Sequence, residues 1–296
     1  MTAPDPWYRT SPVLQPTERF WRPVRATAGG HSVPARVHLV QGRPVGWLVW
    51  AHGGSWRGGS AAEWHHATAA LARISGCLVV SVDYRLSPRH THPAPVEDVL
   101  VALAWVRSLA GRSGLPTRIA VGGDSAGGTI AAAAAVAEAE AGEPLAMQVL
   151  AYPPFDPLCR ADSYRTNDSF PTAEGLRESW RAHRGARPTV FRDGRTLHSS
   201  PLDAEDLAGV APAVLAVGDR DPVRDDVTAY ARLLNESGGS AELHILPRTG
   251  HGALLSPVTE PTDIRHRLAG ALRARFIGSA AGEHATASVP HEGTDA

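Results

Sequence analysis

One serine in this chain sits where its hydroxyl could be turned into a nucleophile. Ser125 lies inside Gly122-Gly123-Asp124-Ser125-Ala126-Gly127-Gly128, between the apolar run Ile119-Ala120-Val121 and an alanine-rich block that begins after Thr129-Ile130. That order reads as strand, tight turn and helix, the context in which G-x-S-x-G forms a nucleophile elbow. Glycines on both sides of the turn let backbones pack closely around it. The turn also sets Ser125 at a helix N-terminus, where free amides favour a developing negative charge. A hydroxyl needs a base to take its proton as it attacks. His251, between Gly250 and Gly252, is the candidate base. A carboxylate should then accept a hydrogen bond from the other imidazole nitrogen and fix the tautomer. Asp219, Asp221, Asp225 and Asp226 compete for that role. The last two begin a helix and read as capping residues. Asp219 and Asp221 stay open. Finally, His52-Gly53-Gly54-Ser55-Trp56 follows another apolar run. Amides of Gly53, Gly54 and, from the elbow, Ala126 are the expected donors to the oxyanion of a tetrahedral intermediate.

These groups can meet only if the elements before them lie side by side. Residues 45–51, 77–82, 119–121, 146–152 and 213–217 are apolar runs of the kind that strands buried on both faces show, and 241–246 reads as a further strand. Helical patterns cover 61–75, 95–110, 129–141, 225–236 and 261–276. Glu97 and Asp98 fall in a first helical turn, where carboxylates offset the dipole. The alternation predicts an α/β domain with a mostly parallel central sheet flanked by helices. Ligands in such sheets bind beyond the carboxyl ends of the strands. The His52 loop, Ser125, the acid loop and His251 each follow a strand directly, so they collect at one sheet edge. Residues 22–28 and 34–40 alternate around Gly29-Gly30 as a hairpin. From 153 to about 207 the pattern dissolves, apart from a short helix at 173–183. That is too long for a plain connection. It predicts an excursion over the strand ends, with Phe155, Phe170, Trp180 and Phe191 as pocket walls or as a small core of its own.

Composition excludes several chemistries. All 29 basic residues of the 296 are arginine. Without lysine there is no Walker-A phosphate loop, no Schiff base and no Ser-Lys dyad. A net charge of −1 gives no electrostatic footprint for nucleic acid or an anionic membrane. Cys77 and Cys159 form no C-x-x-C pair, so neither a zinc site nor a disulfide framework is expected. His65, His66, His90 and His92 lack carboxylate or thiol partners at ligand spacing and read as packing or surface residues. No metal and no cofactor is expected. No secretory signal or membrane-length apolar run is visible, so the expected location is cytoplasmic. The aromatic, proline-broken start (Trp7, Tyr8, Phe20, Trp21) reads as an arm packed on the domain or as part of a cover. From 278 the chain reads as an unstructured tail.

Taken together, these motifs resemble the hormone-sensitive-lipase-like branch of the α/β-hydrolase serine esterases. The matching residues are His52-Gly53-Gly54, Asp83-Tyr84-Arg85-Leu86-Ser87-Pro88, Gly123-Asp124-Ser125-Ala126-Gly127-Gly128, Ser200-Pro201-Leu202, Asp221-Pro222-Val223-Arg224-Asp225 and His251-Gly252. The order Ser, Asp, His is that of α/β-hydrolases. In this family the aspartate that opens the Asp-Pro motif is the triad acid, so the resemblance selects Asp221. It implies one domain over 1–277, with cap segments at about 1–25 and 155–205. It also implies a small-molecule ester or amide as substrate, with a homodimer allowed. The chain departs from the family at Ser55, where a third glycine is usual, and at Arg89, where glutamate is favoured. Its arm is short, which implies a reduced cap. His-Gly-Gly-x-Trp also resembles kynurenine formamidase-like relatives. The leading expectation is hydrolysis of short to medium acyl esters through an acyl-serine. Amidase, deacetylase or acyltransferase chemistry on the same triad is the alternative. A non-catalytic ligand receptor is disfavoured by retention of all three triad residues.

Overall fold

The computed structural model describes residues 21–113, 115–167, 169–256 and 263–285. The expectations for Trp7, Tyr8 and Phe20 and for 286–296 lie outside these residues. The described residues open with a hairpin, β1 (Trp21–Ala28) and β2 (His31–His38). It then alternates as predicted: β3 (Trp47–Ala51), α1 (His65–Ser75), β4 (Leu78–Val82), α2 (Ala94–Ser113), β5 (Ile119–Asp124), α3 (Ala126–Glu140) and β6 (Met147–Ala151). The excursion contains α4 (Ser163–Thr166), α5 (Ala173–Arg184) and the hairpin β7 (Thr189–Arg192) with β8 (Arg195–His198). β9 (Ala213–Gly218), α6 (Arg224–Glu236), β10 (Ala241–Leu246) and α7 (Ile264–Ala285) complete the fold. α7 therefore runs past position 278, where the sequence pattern places the start of an unstructured tail.

Eight strands form one sheet in the order β1-β2-β4-β3-β5-β6-β9-β10, and β7 pairs with β8 apart from it. Within the eight-stranded sheet β1 and β2 pair antiparallel, as do β2 and β4, and the remaining pairings are parallel. β3, β4, β5, β6 and β9 are buried along their whole length. This is why they read as continuous apolar runs. Among the described residues β10 pairs on one side only, and it mixes partly buried with exposed residues.

α3 follows the central strand β5 and is buried from Ala126 to Glu138. Its alanines match that position, because a helix enclosed on every side has no polar face. α1 packs on α7, and α2 on α3. Asp98 does more than offset a dipole. It is fully buried, and its carboxylate accepts hydrogen bonds from the Arg85 backbone N–H at 2.7 Å and from the Arg85 Nε at 3.0 Å. It thereby fixes the chain that leaves β4.

Candidate active site

The loops after β3, β5, β9 and β10 converge beyond the carboxyl ends of the strands. Ser125 leaves β5 with φ +50° and ψ −125°, a strained conformation for a residue with a side chain. The turn survives because its neighbours lack a Cβ. A Cβ at Gly127 would overlap the Ala51 and His52 carbonyl oxygens, and one at Gly123 would overlap the Gly127 carbonyl. The elbow thus packs backbone against backbone, against both the β3 loop and its own helix.

The Ser125 Oγ lies 2.9 Å from His251 Nε2. The His251 Nδ1 lies 2.9 and 3.0 Å from the two carboxylate oxygens of Asp221. The Asp221 side chain is fully buried, and that of His251 is 4% exposed. With a carboxylate as acceptor, the imidazole proton sits on Nδ1. Nε2 then presents its lone pair to the serine hydroxyl. Asp221 also accepts the Val223 N–H at 3.0 Å, which fixes the carboxylate plane.

Asp219 does something else. It accepts the Thr249 N–H at 3.1 Å, and backbone donors from the Arg248–Thr249 turn draw its carboxyl below the usual range. The Arg220 N–H meets the Thr249 carbonyl at 3.0 Å. Asp219 therefore stitches the histidine loop to the acid loop, while Asp221 faces the imidazole. Spacing left that choice open.

Asp225 and Asp226 do not cap α6 as the sequence suggested. Its N-cap is Val223, with no side-chain cap bond. Both aspartates reach sideways to the excursion. Asp225 accepts the Ser163 N–H at 2.9 Å. Asp226 accepts from the Phe155 N–H (2.9 Å), the Asp156 N–H (3.0 Å) and the Tyr164 hydroxyl (2.8 Å). Burial pushes the Asp226 carboxyl up to about 6 against those three donors.

Of the three amides expected to donate to an oxyanion, that of Gly53 has a partner inside the protein. The Gly53 N–H already donates to Asp124 Oδ1 at 3.2 Å inside the protein. Among the described residues the amides of Gly54 and Ser55 have no acceptor, and Ala126, as the first residue of α3, has none within its helix. Gly54, Ser55 and Trp56 all carry positive φ, at +112°, +55° and +59°. His52 sets the base of this loop. Its Nδ1 hydrogen-bonds the Gly53 carbonyl at 2.7 Å, and its ring stacks on Tyr84 at 4.4 Å.

Sequence reasoning missed two residues at the site. Asp124 gathers the Trp64 Nε1–H (2.8 Å), the Trp50 Nε1–H (3.3 Å) and the Gly53 N–H on one oxygen. Complete burial nevertheless pushes its carboxyl up to about 7. Tyr152, directly after β6, packs 4.7 Å from the His251 ring and accepts the Leu254 N–H at 3.1 Å. Its place at the end of a buried strand was the available signal. Of the four aromatics assigned to the excursion, only Phe170 stands at the site. It is 70% exposed, with its ring edge-on to His251 at 5.8 Å. Phe155 is buried against Tyr230, Trp180 against Trp56, and Phe191 is 74% exposed on β7.

Residues 48–255 match the model of the alpha/beta hydrolase fold family. The chain belongs to this family. As an α/β-hydrolase it is 34% identical over 263 residues to the carboxylesterase NlhH of Mycobacterium tuberculosis, covering 82% of this chain and 78% of that one. The solved esterase LipW of Mycobacterium marinum superimposes with a TM-score of 0.77 at 32% identity, over 86% of this chain and 82% of that one. A solved esterase from the bacterial hormone-sensitive lipase family gives 0.75 at 30% identity, over 88% and 86%. The α/β-hydrolase therefore sits in the hormone-sensitive-lipase-like esterase branch. Among its described residues no helix is long and apolar enough to cross a membrane.

Proposed function

We propose that this esterase cleaves small carboxylic esters through an acyl-Ser125 intermediate, with His251 as general base and Asp221 as its orienting acid. The observation that carries the reading is the unbroken relay from Ser125 Oγ through His251 to Asp221, each step at 2.9–3.0 Å. His251 takes the hydroxyl proton as Oγ attacks the ester carbonyl. The carbonyl electron pair moves onto oxygen, where the amides of Gly54, Ser55 and Ala126 meet it. A donor of this kind contributes roughly 3 kcal/mol to the transition state. Collapse of the intermediate expels the alcohol, which takes the proton from His251. Water then repeats the sequence on the acyl-serine and releases the acid. The positive φ of Ser55 supports its amide in the place of the third glycine's. Phe170, at the solvent side of His251, would bound the substrate and favour short to medium acyl groups.

The test is turnover of p-nitrophenyl acetate and butyrate, with fluorophosphonate labelling mapped by peptide mass. The expected result is turnover of both esters and a single label on Ser125, lost in Ser125→Ala. Turnover without that label would remove Ser125 from the mechanism.

A further inference from the structure

The loop that carries the Gly54 and Ser55 amides has positive φ at three successive residues, and two of them, Ser55 and Trp56, bear side chains. The indole of Trp56, the last of the three, is fully buried. It does not pack on the sheet side only. Its ring lies flat on the imidazole of His183, with centroids 4.7 Å apart and planes 7° from parallel. The Trp180 ring also packs on the Trp56 ring, tilted, with centroids 4.4 Å apart. Both partners belong to α5, in the excursion. The backbone completes the bracket. The Trp56 carbonyl accepts the Ser87 N–H at 2.8 Å, and the His183 carbonyl accepts the His92 N–H at 2.7 Å. The residue after Trp56 is tied to the same helix by an ion pair between Arg57 and Glu178 at 3.0 Å.

His183 is an unusual choice for this place. It is fully buried. Neither ring nitrogen makes a well-formed hydrogen bond among the described residues; the Ser199 backbone is only a weak neighbour. Burial, with His92 and Arg184 nearby, drives its imidazole down to about 3. Burial thus favours the neutral imidazole, a flat plate. What it offers Trp56 is a plane.

We infer that His183 is a positioning residue: α5, through the His183–Trp56 stack, holds the oxyanion loop in its strained conformation and so sets where the Gly54 and Ser55 amides point. The excursion then shapes the transition-state site as well as the substrate pocket. An amide displaced by about 1 Å loses on the order of a hundredfold in rate, so a modest shift of α5 would reach the chemistry without touching the relay. This rests on the acyl-serine reading above.

The discriminating probe is a trifluoromethyl ketone. Ser125 Oγ adds to its carbonyl carbon, the hydroxyl proton passes to His251, and the resulting hemiketal oxyanion sits in the hole. Its Ki reports donor placement directly. In folded His183→Ala, kcat/KM for p-nitrophenyl butyrate should fall by roughly tenfold to a hundredfold. The fall should lie in kcat, KM should stay within about threefold, and the ketone Ki should rise in the same proportion. His183→Phe, which keeps the plane and discards the nitrogens, should restore both. His183→Leu fills the space without a flat face and serves if the alanine variant does not fold; its expected change is smaller and in the same direction. A wild-type Ki in either folded variant, or loss of activity in His183→Phe equal to that in His183→Ala, overturns the inference. If the wild-type protein neither turns over the ester nor binds the ketone, the acyl-serine reading itself has failed.

Discussion

Two regions meet at Ser125 and are built on different terms. The strand-end loops are fixed by backbone: glycines that admit no Cβ at the elbow, and the amide and carbonyl contacts that join the Asp221 and His251 loops. The excursion from 153 to 207 is fixed by side chains that reach out of the core, chiefly Asp225 and Asp226 onto Ser163, Phe155, Asp156 and Tyr164. The difference teaches that the relay and the walls around it can be perturbed separately. On the oxyanion side the two regions are joined by the stack of Trp56 on His183 and Trp180 and by the Arg57–Glu178 ion pair.

The contrast breaks most sharply at the relay. Asp221→Asn keeps an acceptor for the Val223 N–H but favours the wrong imidazole tautomer. We expect kcat to fall about ten-thousandfold, with little change in the urea midpoint. The next largest effect belongs to backbone packing. Gly127→Ala drives a methyl into two carbonyl oxygens. Equilibrium unfolding should show a loss of about 3 kcal/mol or more.

Side-chain anchoring is the third measure. Asp226→Ala leaves two N–H groups and a hydroxyl without their acceptor, at a cost of about 3 kcal/mol. Asp226→Asn sharpens the point through pH. The folded carboxyl sits at about 6, above its ordinary value of 3.8. Between those values the unfolded chain has released a proton that the folded one retains, so rising pH favours unfolding of the wild type. The stability of Asp226→Asn relative to wild type should therefore climb from pH 4 to pH 6 and level off above. Urea titrations at pH 4.5 and 7.5 would show it. The smallest effect is expected at Phe170. Being 70% exposed, Phe170→Ala should leave stability within about 0.5 kcal/mol. Its KM for p-nitrophenyl hexanoate should rise roughly threefold to tenfold, the scale of one lost aromatic contact.

This division also sets what could be read from the sequence. Strands buried on both faces leave uninterrupted apolar runs, so the sheet and the four loops at its edge were legible in outline. The elbow glycines were legible because backbone contact tolerates nothing else. Which aspartate faces His251 was not, since Asp219 and Asp221 differ only in where a turn points them; there the family resemblance carried the choice. That the Gly53 amide is taken up inside the protein was not legible either, because its partner, Asp124, lies 71 positions away. Within the excursion, β7 and β8 left a signal that was overlooked. Asp193-Gly194 joins them with φ of +51° and +76°, the geometry that an Asp-Gly hairpin turn demands. Asp225 and Asp226 were misread because a first-turn carboxylate resembles a cap whether it turns inward or across.

His251, the proposed general base, follows an edge strand of the sheet. Among the described residues β10 pairs with β9 alone, and five residues after its end the chain reaches His251. Sheet margins open locally at lower free energy than central strands. Brief separation of that margin would withdraw the imidazole from Ser125 while the seven inner and opposite strands remained paired. Catalytic activity should therefore fade on heating before the sheet's circular dichroism does. In this molecule, loss of turnover would register the peeling of one strand and not the melting of the whole.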